Sequence, residues 1–136
     1  MIHKQQIMGM LVDACPSFAK RFAEGMAADY LDDSGNLLHY IALGDFARHI
    51  LSLLSMGKLD EFPAGFAAVE AFHAEGDQYV REAATVGFLE ALQNNAEHRG
   101  VEKSAFEKWL GPKSKKWWDR LEDFWKGDVT ALRHID

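Results

Sequence analysis

Chemistry in this chain would have to come from its 6 histidines and 21 acidic residues. Glu70, His73 and Asp77 fall at i, i+3 and i+7, on one side of a helix. A histidine beside a carboxylate can hold a metal or act as an oriented base. No His-Glu-x-x-His pattern supports either role. His73 also falls within the apolar arc of Phe62, Phe66 and Val69, where a hydrogen-bonded core histidine is the simpler expectation. Asp45 and His49, at i and i+4 with Arg48 and Ser52 beside them, make a second polar stripe that can pair on a helix surface. It reads as a solvated face or a contact for a partner. His39 lies on an apolar arc and is expected to be buried and hydrogen-bonded. A metal-binding or enzymatic reading would need packing to join His39, His49 and His73 with Asp45, Glu70 and Asp77. The one cysteine, Cys15, allows neither an internal disulfide nor a cysteine-based zinc site. It precedes a proline and has no evident base partner. The glycines form no phosphate loop or dinucleotide pattern, so no cofactor is expected.

Trp109, Trp117, Trp118 and Trp125 gather in the last third, beside Lys113, Lys115 and Lys116. Aromatics mixed with lysines can stack on single-stranded nucleic acid or sit at a membrane surface. Yet Trp117, Leu121 and Phe124 keep the i, i+4, i+7 spacing of a core face. Packing is therefore the first expectation, and an exposed tryptophan anchoring a protein partner is the second.

The chain has 136 residues and a formal charge of −6, and 48% of it is hydrophobic, which suits one globular domain spanning 1–136. An acidic chain is a poor fit to nucleic acid. Residues 60–97 carry 8 acidic side chains and 1 basic one, a net −7. That block suits either a solvated surface or a cationic partner. No membrane span and no signal peptide are expected, and the cytoplasm is the default location.

These residues must be positioned by helices, since Ala, Leu, Met, Glu and Lys dominate and alternating strand patterns are lacking. Helices are expected over about 3–13, from Ser17 onward, and over about 37–56 with Gly57 as the stop. The third places Tyr40, Leu43, Phe46, Ala47, Ile50, Leu51, Leu53 and Leu54 on one wide arc. Asp60 is expected to cap a fourth helix ending at Gly76, and Asp77 a fifth running to about Glu97. The fifth is apolar nearly all round, which predicts a central position. Its small residues Ala83, Ala84, Gly87 and Ala91 should let neighbours approach closely. Gln93, Asn94 and Asn95 are expected to satisfy free carbonyls at its end. Ser104 should cap a short helix, Ser114 should open another to about Lys126, and Asp128 should cap a last turn. The fold class expected is all-α: a bundle of six to seven helices, with antiparallel pairs stacked around a central helix near 77–97.

Two segments carry a family likeness. One runs Gly76-Asp77-Gln78-Tyr79-Val80-Arg81-Glu82 and continues as Val86-Gly87-Phe88-Leu89-Glu90-Ala91-Leu92-Gln93-Asn94. The other is Leu110-Gly111-Pro112-Lys113-Ser114-Lys115-Lys116-Trp117-Trp118-Asp119. Across about 36–126 the chain resembles small bacterial all-helical proteins of unknown function that look like immunity proteins of polymorphic toxin systems. The resemblance implies a cytoplasmic helical domain that binds and occludes a toxin, and it supplies no catalytic motif. The expected partner is a basic toxin domain. The residues expected to meet it are Asp45, His49, Glu70, His73, Asp77, Glu82 and Trp118, in a chain that is a monomer or a homodimer. The alternatives are the histidine–carboxylate metal protein or enzyme, and a homodimeric structural or regulatory module built on the tryptophans.

Overall fold

A computed structural model describes residues 1–127, so the last turn expected at Asp128 lies outside the described residues. Seven α-helices and no strand form among them. They are α1 (Ile7–Ala14), α2 (Ala19–Ala28), α3 (His39–Ser55), α4 (Phe62–Glu75), α5 (Gln78–Glu82), α6 (Glu90–His98) and α7 (Pro112–Trp125). The protein is an all-α bundle.

Local chemistry sets the boundaries. Pro16 ends α1 and starts a 3-10 turn (Pro16–Phe18) that leads into α2. After α2 the chain doubles back over Gly25, where a Cβ would stand 2.1 Å from the Tyr30 ring. Asp32 shapes the next loop by accepting the Ser34 and Asn36 N–H groups at 2.8 and 2.9 Å, with Gly35 at φ +83°. Asp77 caps α5, its Oδ1 accepting the Val80 N–H at 2.9 Å.

Other starts differ from expectation. α4 begins at Phe62 after Glu61, and Asp60 is not its cap. The segment expected to be capped by Ser104 is a 3-10 helix (Lys103–Trp109) preceded by Glu102. α7 opens at Pro112, before Ser114. The extended N-terminal residues bridge to the end of α4, as the Ile2 N–H donates to Glu75 O and Ile2 O accepts from the Asp77 N–H.

α5 and α6 are continuous through a π-helical segment (Ala83–Leu89). This rod touches α3, α4 and α7, which makes it the centre of the bundle. Periodicity could not reveal the π segment. It inserts an extra residue into the turn, and on a rod apolar all round the slipped face is still apolar. Gly87 lets α3 rest on its backbone: a Cβ there would lie 2.6 Å from Tyr40 Cδ1 and 2.9 Å from Leu43 Cδ1. Around the rod, Phe46, Phe62, Phe66, Phe88, Phe106 and Trp118 form a connected aromatic core. Tyr40 leaves the arc expected on α3 and is exposed.

Candidate functional site

Most of the residues singled out in the sequence are used internally. Asp45 sits on α3 between Tyr30, which donates to Oδ2 at 2.6 Å, and Arg48, whose Nη2 lies 2.9 Å from Oδ1. Arg21 reaches the same oxygen at 3.4 Å. Burial opposes the charge, but the Tyr30 and Arg48 hydrogen bonds hold the Asp45 carboxyl below the usual range. Its role here is to tie α2, the following loop and α3 together. Asp45 does not pair with His49.

His49 instead lies 2.8 Å from Ser17 Oγ, which donates to Glu61 Oε1 at 2.5 Å. The Ser17 N–H also reaches Glu61 Oε2, at 3.2 Å. A serine, a histidine and an acid therefore meet, but in the wrong order for nucleophilic catalysis. In a catalytic triad the acid orients the histidine, and the histidine takes the serine proton. Here the serine proton points to Glu61, so His49 must donate to Ser17. The cluster clamps the start of α2 to α3 and α4. Nearby Cys15 is buried, and desolvation followed by the Glu61 charge pushes its thiol up to about 12. It is not a nucleophile at neutral pH.

Glu70 is the cap that α7 lacks in its own sequence. Its carboxylate accepts the Lys113 N–H at 3.1 Å and the Ser114 N–H at 2.8 Å. Anionic caps are favoured at helix N-termini because free amides and the helix dipole converge there. Gly111 makes room, since a Cβ would stand 2.5 Å from the Glu70 carboxyl carbon. Glu70→Ala is expected to lower stability by about 1 kcal/mol, the usual cost of a lost cap. Glu70→Gln, which keeps one acceptor, should lose less. Urea denaturation of the three proteins checks this; equal stability of wild type and Glu70→Ala would remove the cap assignment.

His73 is buried, with Nδ1 2.8 Å from Ser114 Oγ and Nε2 2.9 Å from Thr85 Oγ1. It joins α4, α7 and the π segment. Burial lowers its pKa to about 4 despite the Glu70 charge, so the ring is neutral at pH 7. Thr85 faces His73 within the π-helical turn. His39 is buried as expected, with Nε2 3.0 Å from Lys4 O. Among the described residues, no three His, Cys, Asp or Glu side chains are gathered as a metal would require. His39, His49 and His73 each have a different partner.

Asp77 is engaged as the α5 cap and lies 3.1 Å from His3 Nδ1. Trp118 is fully buried against Phe106. It belongs to the core and cannot anchor a partner, because its face of α7 turns inward onto the 3-10 helix. Gln93 is also buried and donates to Trp118 O at 3.2 Å, so it ties α6 to α7 rather than closing its own helix.

Glu82 differs from the other six. It is exposed, and among the described residues no ion pair engages it. Its neighbours are the residues that sequence reasoning missed. Tyr40, Ile41 and Tyr79 are 41%, 46% and 38% exposed, high values for large apolar side chains. The two tyrosine rings stack with centroids 6.2 Å apart, and His39 meets Tyr79 edge-on at 5.8 Å. With Leu37 and Leu38 they line a hollow of about 210 Å³. An adjoining hollow of about 360 Å³ shares Leu37 and His39 and is closed by Lys4, Gln5 and Asn36. Burial, then Glu82, then Tyr79, pushes the Tyr40 hydroxyl up to about 12. Burial followed by Glu82 raises Tyr79 in the same way. Both rings stay neutral and keep a donor. Tyrosine is enriched at protein interfaces, which was the available signal, but both tyrosines sat on apolar arcs and read as core.

The fold is that of a small all-α bundle. A family model for a domain of unknown function, DUF7674, matches residues 8–126, and the chain belongs to that family. No curated protein and no solved structure matches it. No helix among the described residues is long and apolar enough to cross a membrane.

Proposed function

We propose that the chain is a protein-binding module of the immunity type, which occludes a cationic toxin domain. The observation that carries this reading is the exposed Tyr40, Ile41 and Tyr79 patch with Glu82 at its edge. Stacked tyrosines offer a rigid apolar surface at low entropic cost, and their hydroxyls can hydrogen-bond to a partner. Their faces also attract cations: Lys4 Nζ already sits 5.5 Å from the Tyr79 ring centroid. Glu82 adds a carboxylate without an ion-pair partner among the described residues, and the chain as a whole carries −6. A lysine or arginine from a partner would meet both the ring faces and that carboxylate. The likeness to immunity proteins supports the same class of role.

The test is survival. The product of the gene directly upstream is expressed alone, with this protein, and with the double variant Tyr79→Ala/Glu82→Lys. The neighbour is expected to kill, the wild type to rescue, and the variant to lose at least 100-fold in affinity while keeping its melting temperature. Association of the purified pair should slow steeply with salt, as steered encounters do. A harmless neighbour, or rescue that the double variant retains in full, would overturn the reading.

A further inference from the structure

On another face, α4, α5 and α7 enclose a hollow of about 120 Å³ lined by His73, Ala74, Arg81, Lys113, Lys116 and Trp117. Three permanent cations converge there on a protein that is acidic overall. None of the three is in an ion pair among the described residues. The Arg81 Nε–H is buried and has no acceptor among the described residues. A buried donor without a partner is costly, and an anion in the hollow beside the same guanidinium would offset part of that cost through its charge. Lys116 Nζ lies 5.3 Å from the Trp117 ring centroid, and Arg120 lies 4.8 Å from the same ring, so a cation-flanked indole forms one wall.

We propose that this hollow binds a small tetrahedral oxyanion of the phosphate class, free or as the end of a phosphomonoester. Size selects the class. The volume is well below the ~300 Å³ at which sites for drug-sized molecules begin. A phosphate group fits, and anything attached to it must remain outside. Charge selects the sign. Arg81, Lys113 and Lys116 face two nearby carboxylates, Glu70 and Asp77, and both carboxylates are already occupied by backbone N–H groups. The α7 amides of Lys113 and Ser114 belong to Glu70, so the anion is held by side chains and not by the helix end. His73 contributes shape rather than charge, since Ser114 and Thr85 take both its nitrogens. The larger hollow beside Lys103, about 450 Å³, is ringed by Glu97, Glu102, Glu107 and Glu122 and would repel the same ion.

The test is calorimetric titration of the full chain with inorganic phosphate, with phosphoserine, and with chloride at matched ionic strength. Phosphate is expected to bind saturably at one site per chain, and chloride is not. Arg81→Gln and Lys113→Gln should each weaken phosphate at least tenfold. Neither side chain is in an ion pair among the described residues, so both variants should retain the wild-type circular dichroism and melting curve. Lys116→Gln serves as a third variant should either fail to fold. Phosphoserine binding at least tenfold tighter than phosphate would assign the site to a phosphomonoester; equal affinity would assign it to the free ion. Absence of saturable binding by both phosphate and phosphoserine, or binding that all three variants leave unchanged, would overturn the proposal.

Discussion

Trp118→Ala is expected to lower the stability of the protein by about 3–5 kcal/mol, the range for removing a large aromatic side chain from a packed core. Trp118 is fully buried, and its ring meets Phe106 at 6.3 Å and 62°. Its carbonyl also receives the Gln93 amide. Truncation would open a cavity among Phe106, the π segment and α7 that close-packed neighbours could fill only in part. Trp118→Phe separates ring packing from the indole nitrogen. The Trp118 Nε1–H is buried without an acceptor among the described residues, so phenylalanine loses volume but relieves an unpaired donor. It should retain most of the stability. Urea denaturation of the three proteins measures both effects. A loss below about 1 kcal/mol for alanine, the range of surface changes, would mean that Trp118 is not in the core. The phenylalanine variant should also rescue cells as well as wild type, because the residue is remote from solvent.

Acidification is expected to destabilise the protein through His73 well before its carboxylates titrate. The folded-state pKa is depressed to about 4, against an ordinary value of 6.5, with burial as the main cause. Above pH 6.5 the ring is neutral in both states and contributes no slope. Between 6.5 and 4 the unfolded chain takes up a proton that the folded one refuses, so stability falls with pH. Below about 4 both states are protonated and this loss stops. The full effect is about 3 kcal/mol. Burial also lowers His39 and His49, so they act in the same direction. Asp32, Asp45 and Asp77 are held below the ordinary carboxylate range, and their contributions are lost only at lower pH. Unfolding free energies at pH 7.5 and 4.0 should therefore differ less in His73→Gln than in wild type. Glutamine can still hydrogen-bond with Ser114 and Thr85. An unchanged pH slope in the variant would show that His73 is protonated alike in both states.

The two proposals concern opposite kinds of surface. The tyrosine patch with Glu82 suits a cationic protein, while the hollow around Arg81 suits a small anion. Arg81 and Glu82 are adjacent in sequence, yet α5 turns them toward different neighbours. Residue order in a helix thus separates two charges by about 100° per step.

The sequence by itself determined that the chain is helical, where several of its breaks fall and which helix is central. Those features rest on local chemistry: Pro16 and Gly35 break the chain, the Asp77 carboxylate caps the helix that follows it, and the span 78–97 is apolar nearly all round. It also marked His39 and His73 as core histidines, because both lie on apolar arcs. Tertiary structure alone decided what the polar residues do. Glu70 caps α7, which begins 42 residues later, and Ser17 meets His49 of α3 and Glu61, the residue before α4. Such pairings depend on how helices cross, and side-chain spacing within one helix carries no record of that. The same holds for exposure. Trp118 and Tyr40 both lie on apolar helix faces, but α7 is covered by the 3-10 helix where Trp118 lies, and α3 is left uncovered where Tyr40 emerges. An amphipathic pattern says that a face tends to be buried, and only the neighbouring helices settle which part of it is.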